Sequence, residues 1–330
     1  MFNINLLSRY RACLMGASAI LIILCHAPAY VDLPNCVAAL LSRGGWGVDI
    51  FLFLSGLGLY HSLSSISNDV NCSLKLWYTK RFKRLLIPYT LSYVPLCVIR
   101  GIIRGDSLLN IVGDISTLSF WTRHSGAWFV ALIIPLYIIA PFLYSLFKDA
   151  KSDRHKFIVM SSMVIICLIF GAYVFKGVEY RGFIYNLQFA SSRVPSFIFG
   201  MYLGHYVLNQ YKIKYPLLIC MIVSLAACIF KYYIPSLTIS CFMALPTMLI
   251  MMFVFSKDIK IINSACNFMG NISLESYLFN GLLPFFIVNR KCVLMGVDIF
   301  CGNYLPYIIV AVMGTFLSYL VHRLVYRISS

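Results

Sequence analysis

Apolar segments long enough to cross a membrane recur along the whole chain, and this feature constrains the fold more than any other. A membrane-spanning helix needs about 20 apolar residues. Of the 330 residues, 61% are hydrophobic and 12% are charged, whereas soluble domains are roughly half apolar and a quarter charged. The sequence therefore predicts one all-α integral membrane domain over residues 1–330. Its ten predicted spans lie at about 12–30, 47–63, 85–104, 127–147, 157–175, 193–208, 215–233, 237–255, 274–289 and 304–326.

The lysine and arginine residues indicate how the chain is oriented. Loops on the cytosolic side of a membrane carry an excess of these residues. If the N-terminus is cytosolic, most of the 27 lysine and arginine residues lie in inner segments, with a dense group in the loop 64–84. We therefore expect both termini to be cytosolic. The net charge of +16 is then mainly a signal of topology and of contact with membrane lipids, and a nucleic-acid partner is not expected.

The twelve cysteines do not form a metal-binding pattern. Most lie in apolar runs, where cysteine behaves as a small hydrophobic residue. There is no C-x-x-C motif, so the sequence predicts neither a zinc site nor a redox centre. Cys292 and Cys301 flank one short loop and could pair in an oxidising compartment. The first apolar run lacks a small-residue cleavage site, which favours a retained span over a removed signal peptide.

His26 lies well inside the apolar run Cys13–Ala29. An ionisable side chain is costly in hydrocarbon and is usually retained there for a function. His26 is about 14 residues, or roughly 21 Å, from the inner end of its span, and Asp49 begins the next span at a similar predicted depth. We expect the two to meet, with the carboxylate orienting the imidazole as a general base. The alternative is a helix–helix hydrogen bond without chemistry.

A basic run, Lys80-Arg81-Phe82-Lys83-Arg84, precedes the third predicted span at its inner end. Arg81 and Arg84 are three residues apart and so share a helix face. Two guanidinium groups on one face can bind phosphates through paired hydrogen bonds. The alternative is anchoring of the loop by anionic lipid headgroups.

Other polar and aromatic residues have simpler interpretations. Trp128 opens the fourth predicted span at the outer face, where tryptophan is typical of the interface. Arg193 lies either at the interface or inside the bundle. Glu275 stands near the start of the ninth span, where a helix N-terminus favours an acid. Three further histidines fall near inner span ends and need no functional explanation: His61, His205 and His322.

The order of these motifs resembles a known family. It comprises a histidine in the first span, Gly47-Val48-Asp49-x-Phe51 with Ser55-Gly56 in the second, Arg-x-x-Arg-x-x-x-Pro at the third and a tryptophan at the fourth. This pattern is similar to that of the acyltransferase-3 family of bacterial membrane O-acyltransferases, which modify O-antigen, capsule or exopolysaccharide. The resemblance is specific over about residues 11–90 and weaker at residues 268–278.

The resemblance implies roles for individual residues. It assigns catalysis to His26 with Asp49, binding of the acyl-CoA donor to Arg81 and Arg84, and a substrate contact to Trp128. Two positions depart from the family pattern. Many members have an arginine eleven residues before the histidine, where this chain has Met15, and Arg11 is the candidate replacement. Many also have a second histidine where this chain has Asn280.

The expected function follows from the resemblance. It is transfer of an acetyl group from cytosolic acetyl-CoA to a hydroxyl of a cell-surface or lipid-linked polysaccharide, by a multi-pass protein of the bacterial inner membrane. Acetyl-CoA is a substrate, and neither a permanent cofactor nor a metal is expected. A transporter or flippase of glycan precursors is the alternative, although inverted repeats and paired broken helices typical of transporters are not evident in the sequence. A non-catalytic scaffold would leave His26 and Asp49 without a role.

Overall fold

A computed structural model describes residues 2–67, 73–174, 182–287, 293–294, 297–298 and 304–329. Most of these residues are helical. The α-helices are α1 Leu6–Arg9, α2 Arg11–His26, α3 Asn35–Ser42, α4 Trp46–Ser67, α5 Leu74–Arg104, α6 Leu108–Ile115, α7 Leu118–Arg123, α8 Trp128–Lys148, α9 Asp153–Ile169, α10 Phe183–Leu208, α11 Pro216–Tyr233, α12 Ser240–Phe255, α13 Lys260–Asn271, α14 Ser273–Ile287 and α15 Tyr304–Ser329.

Shorter elements complete the described chain. Two 3-10 helices, Ala27–Ala29 and Arg43–Gly45, follow α2 and α3, and a π-helical segment, Phe170–Val174, follows α9. Strand β1 (Phe2–Asn3) pairs antiparallel with β2 (Lys212–Ile213). Strands β3 (Val293–Leu294) and β4 (Val297–Asp298) form a second antiparallel pair. Cys292 and Cys301, considered above as a possible disulfide, lie outside the described residues.

Seven helical stretches of the described chain are long and apolar enough to cross a membrane: Arg11–Ala29, Asn35–Ile66, Leu74–Arg104, Trp128–Lys148, Asp153–Ala172, Pro216–Tyr233 and Tyr304–Arg327. The other three predicted spans are also helical, as α10, α12 and α14. With 16 and 15 residues, α12 and α14 are shorter than the roughly 20 that a full crossing needs. The fold class is therefore confirmed as a multi-helix membrane protein, while the count of ten spans and the side of the termini stay predictions.

The third predicted span begins earlier than expected. Helix α5 starts at Leu74, where the Ser73 hydroxyl accepts a hydrogen bond from the Leu76 backbone N–H at 3.2 Å. A serine in this capping position satisfies one of the unpaired N–H groups at a helix start. The basic run is thus on the helix itself, and Arg81 and Arg84 have fixed positions on its surface.

Helix α4 lies at the centre of the bundle. It packs against α2, α8, α10 and α12, and its residues Leu52, Phe53, Leu54 and Leu57 are almost completely buried. The contact with α10 is very close at Gly200, where a Cβ atom would lie 1.9 Å from the Phe53 carbonyl oxygen. Small residues allow helix backbones to approach in this way inside membranes. The close packing fixes the rotation of α4, and so fixes which residues face each neighbour.

Candidate active site

A cavity of about 800 Å³ opens within the bundle. Its volume lies within the range of about 300–1,000 Å³ typical of small-molecule sites. Helices α2, α4, α5, α8, α13, α14 and α15 contribute to its wall. Its charged lining residues are Arg11, Lys80, Arg81, Lys83, Arg84, Glu275 and His322, and its apolar lining includes Ile22, Val48, Phe51, Phe129 and Ile133.

The basic part of the cavity contains both members of the predicted arginine pair. Arg81 and Arg84 line the cavity together with Lys80 and Lys83, as expected for two arginines three residues apart on a helix. Arg81 is half-buried and its guanidinium lies over the Trp77 ring, 5.9 Å from the centroid. No carboxylate among the described residues lies within ion-pair distance of these four cations. Their charge is therefore available to an anionic ligand.

Arg11 joins this basic surface from the N-terminal end of α2. Its Nε donates a hydrogen bond to the Leu54 carbonyl at 3.3 Å. Its guanidinium lies against Gly58, where a Cβ atom would be 2.9 Å from Nη2. Met15, which occupies the position of the family arginine, lines the same cavity. Arg11 thus reaches the same cavity with a longer side chain from one helical turn before Met15, although its spacing to His26 differs from the family pattern.

An acid and a histidine also meet on the cavity wall. The Nδ1 atom of His322, on α15, lies 3.0 Å from Oε1 of Glu275, on α14. Glu275 is buried, whereas His322 is more than one-third exposed. Both residues line the cavity. From the sequence, Glu275 and His322 were interpreted as separate structural residues. The one sequence signal that could have indicated a role for Glu275 is its position in the first turn of an apolar helix.

His26 lies at the C-terminal end of α2, one turn beyond Ile22 of the cavity lining. It lines a small pocket of about 10 Å³ together with Tyr277, Asn280, Gly281 and residues of α2. This volume is close to the minimum that holds one water. Ile22 and Tyr277 line both this pocket and the large cavity. The two spaces therefore share a wall, and His26 lies at the opposite end of α2 from Arg11.

The predicted contact between His26 and Asp49 is wrong. The Asp49 carboxylate is completely buried and forms an ion pair with Nη1 of Arg193, on α10. Its other oxygen accepts a hydrogen bond from the Ser196 hydroxyl at 2.9 Å, and Arg193 also donates to the Ser240 hydroxyl at 2.9 Å. No hydrogen bond among the described residues involves the side chain of His26.

The physical reason is the rotation of α4. Gly47 faces α2, since a Cβ atom there would lie 2.6 Å from the Ser18 carbonyl oxygen. Asp49 follows two residues later, about 200° around the helix, and so points away from α2 and towards α10. Ser18 also precedes His26 by eight residues, or roughly 12 Å along α2. Asp49 thus differs from His26 in both direction and depth.

Arg193 and Trp128 form one cluster rather than two interfacial anchors. Arg193 lies inside the bundle, with its guanidinium 6.0 Å from the Trp128 ring centroid and 5.5 Å from that of Phe189. Trp128 packs edge-on against Phe189, with centroids 5.0 Å apart. Trp128 does not line the cavity, but its neighbour Phe129 does. The substrate contact of Trp128 stays a prediction.

Comparison with protein families identifies the chain. A family model described as an acyltransferase domain matches residues 14–323 of the 330. The chain belongs to the acyltransferase-3 family. A search of curated proteins and a search of solved structures gave no significant match. The acyltransferase assignment rests on almost the whole chain, and the described cavity is the candidate active site of this acyltransferase.

Proposed function

We propose that this acyltransferase moves an acetyl group from cytosolic acetyl-CoA to a hydroxyl of a cell-surface or lipid-linked polysaccharide in the bacterial inner membrane. The observation that carries the proposal is the cavity that joins a cluster of cations, without carboxylate partners in the described part of the chain, to the wall of the His26 pocket. One end suits a polyphosphate and the other suits a thioester beside a base.

The length of the cavity supports the donor assignment. Arg11 and Ile22 both line it, and they are separated by roughly 16 Å along α2, with His26 about 6 Å further on. An extended pantetheine arm covers a distance of this order. Arg81, Arg84 and Arg11 would bind the nucleotide phosphates through charge-assisted hydrogen bonds, while the arm occupies the apolar part of the cavity.

The chemistry at the outer end is direct transfer. A nitrogen of His26 takes the proton of the acceptor hydroxyl, and the hydroxyl oxygen attacks the thioester carbonyl carbon. The C–S bond then breaks, the ester forms, and the leaving thiolate takes the proton from the imidazolium. Asp49 has no part in this step. It acts as a positioning residue that holds Arg193 and the α4–α10 contact.

The test uses purified protein in detergent, radiolabelled acetyl-CoA and deacetylated glycan extracted from the source cells. We expect His26→Ala to lower transfer by about 10²–10⁴-fold, the usual contribution of a general base. Acetyl-CoA should still raise its melting temperature, because a ligand at 100 times its dissociation constant stabilises the folded state by about 2.7 kcal/mol. Full transfer by His26→Ala would refute the assignment of the base.

The same measurements separate acyl transfer from transport. A glycan flippase without acyltransferase activity would show neither protection by acetyl-CoA nor release of CoA thiol. Mass spectrometry of surface glycan from cells with and without the gene should show the loss of one acetyl-sized mass. An unchanged glycan mass would contradict the proposed acceptor.

A further inference from the structure

Acyl transfer at His26 also requires a donor that stabilises the negative charge on the thioester oxygen. Among the residues that line both the cavity and the pocket of His26, Tyr277 is a hydrogen-bond donor. It lies on α14, at the wall that the two spaces share. The group that balances the developing charge must lie at this junction if the thioester carbon is to be within reach of His26.

The hydroxyl of Tyr277 is held in place as an acceptor, which leaves its proton free. The backbone N–H of Phe129 donates to this oxygen at 3.2 Å. The two rings pack edge-on, with centroids 5.4 Å apart. No hydrogen bond among the described residues takes the Tyr277 proton.

The bond from Phe129 also makes this hydroxyl a better donor. Phe129 is in the first turn of α8, which begins at Trp128, so its N–H is one of the groups that have no partner within their own helix. A donor at the positive end of a helix withdraws electron density from the phenol oxygen, and bonds in such a chain strengthen one another.

We propose that the Tyr277 hydroxyl, oriented by the Phe129 N–H, donates its hydrogen bond to the thioester carbonyl oxygen as that oxygen becomes negatively charged. This inference rests on the proposed acyl transfer. The C=O double bond becomes a single bond as the acceptor oxygen adds, and it is restored as the thiolate leaves. Tyr277 keeps its proton throughout, so the proton balance with His26 is unchanged.

The decisive variant is Tyr277→Phe, which removes the hydroxyl and keeps the ring. We expect kcat to fall by about 10²–10³-fold, the effect of removing one such donor. The KM for acetyl-CoA should stay within about twofold, because the interaction strengthens only in the transition state. The matched control is Tyr93→Phe, a buried tyrosine that packs in the same apolar cluster and lines neither space; its kcat should not change.

Folding is checked independently, since the variant leaves the Phe129 N–H without its acceptor. The rate is expressed per molecule that acetyl-CoA protects against thermal unfolding. If Tyr277 only supports the helix contact, the melting temperature falls while kcat per folded molecule stays within about threefold, and the inference is overturned. A rise in KM without a fall in kcat would also overturn it. If the unaltered protein releases no CoA thiol, the proposed function itself fails.

Discussion

Two groups of charged residues lie inside the helical bundle, and they differ in what the protein provides around them. In the first, Asp49 and Arg193 form a closed pair in which Ser196 and Ser240 supply further hydrogen bonds. In the second, Arg11, Arg81 and Arg84 open onto the large cavity, without a carboxylate partner among the described residues.

The comparison teaches that the partners of a charge, rather than its presence in a span, indicate its role. A buried charge that is paired with an opposite charge and bonded to further protein groups stabilises one arrangement of helices. Like charges that face an open cavity repel one another, and a bound anionic ligand lowers the free energy of this repulsion. On this argument we propose that the Asp49–Arg193 pair is structural and that the arginine cluster binds the anionic donor.

Breaking the closed pair should have the largest effect. We expect Asp49→Ala to lower the free energy of unfolding by about 3–5 kcal/mol, because Arg193 would keep a buried charge without a partner. The measurement is the melting temperature in detergent, with His26→Ala as the control that should melt like the unaltered protein.

A double variant sharpens this result. Asp49→Leu combined with Arg193→Met removes both charges, and replacement of a buried pair by apolar residues is often neutral or stabilising. The double variant should therefore melt well above Asp49→Ala. If Asp49→Ala melts like the unaltered protein, the pair does not hold α4 against α10 and the contrast between the two groups is lost.

Removing charge from the open cluster should affect binding and leave stability intact. We expect Arg81→Gln or Arg84→Gln to raise the KM for acetyl-CoA by about 10–100-fold, since a hydrogen bond to a charged group contributes about 1.5–3 kcal/mol and each 1.36 kcal/mol is a factor of ten. Lys75→Gln is the matched control, because Lys75 is exposed on the same helix and does not line the cavity.

Ionic strength gives a second measurement on this cluster. The KM of the unaltered protein should rise with salt, because salt screens partly exposed charges. Its salt dependence should weaken in Arg84→Gln. Equal effects of Lys75→Gln and Arg84→Gln would mean that the basic run acts through general attraction and not through a defined site.

The sequence predicts the features of the fold and of the candidate site that depend on local geometry. Apolar runs predicted helices at all ten expected places, and the spacing of Arg81 and Arg84 predicted that they share a face. The resemblance to the acyltransferase-3 family was confirmed, since the family model covers nearly the whole chain. Each of these inferences depends on residues that are close in the sequence or on the order of motifs.

The sequence could not predict contacts that depend on how whole helices rotate against one another. Counting residues placed Asp49 at the depth of His26, but only the close approach of Gly47 to Ser18 decides that the carboxylate faces α10. The pair of Glu275 and His322 joins residues 47 positions apart, and no local pattern links them.

The smallest expected effect concerns Arg11, the member of the cluster that departs from the family pattern. A Cβ atom at Gly58 would lie 2.9 Å from Nη2 of Arg11, so Gly58→Ala must push the guanidinium aside without removing it. A side chain forced off its preferred rotamer costs about 0.5–1.5 kcal/mol, which predicts a rise in KM for acetyl-CoA of about 2–10-fold.

Gly45→Ala is the control, since a Cβ atom there meets nothing within 4 Å. The effect should disappear in an Arg11→Gln background, because residues in contact are not additive. If Gly58→Ala raises KM equally in both backgrounds, it acts by narrowing the cavity, and Arg11 does not replace the missing family arginine at Met15.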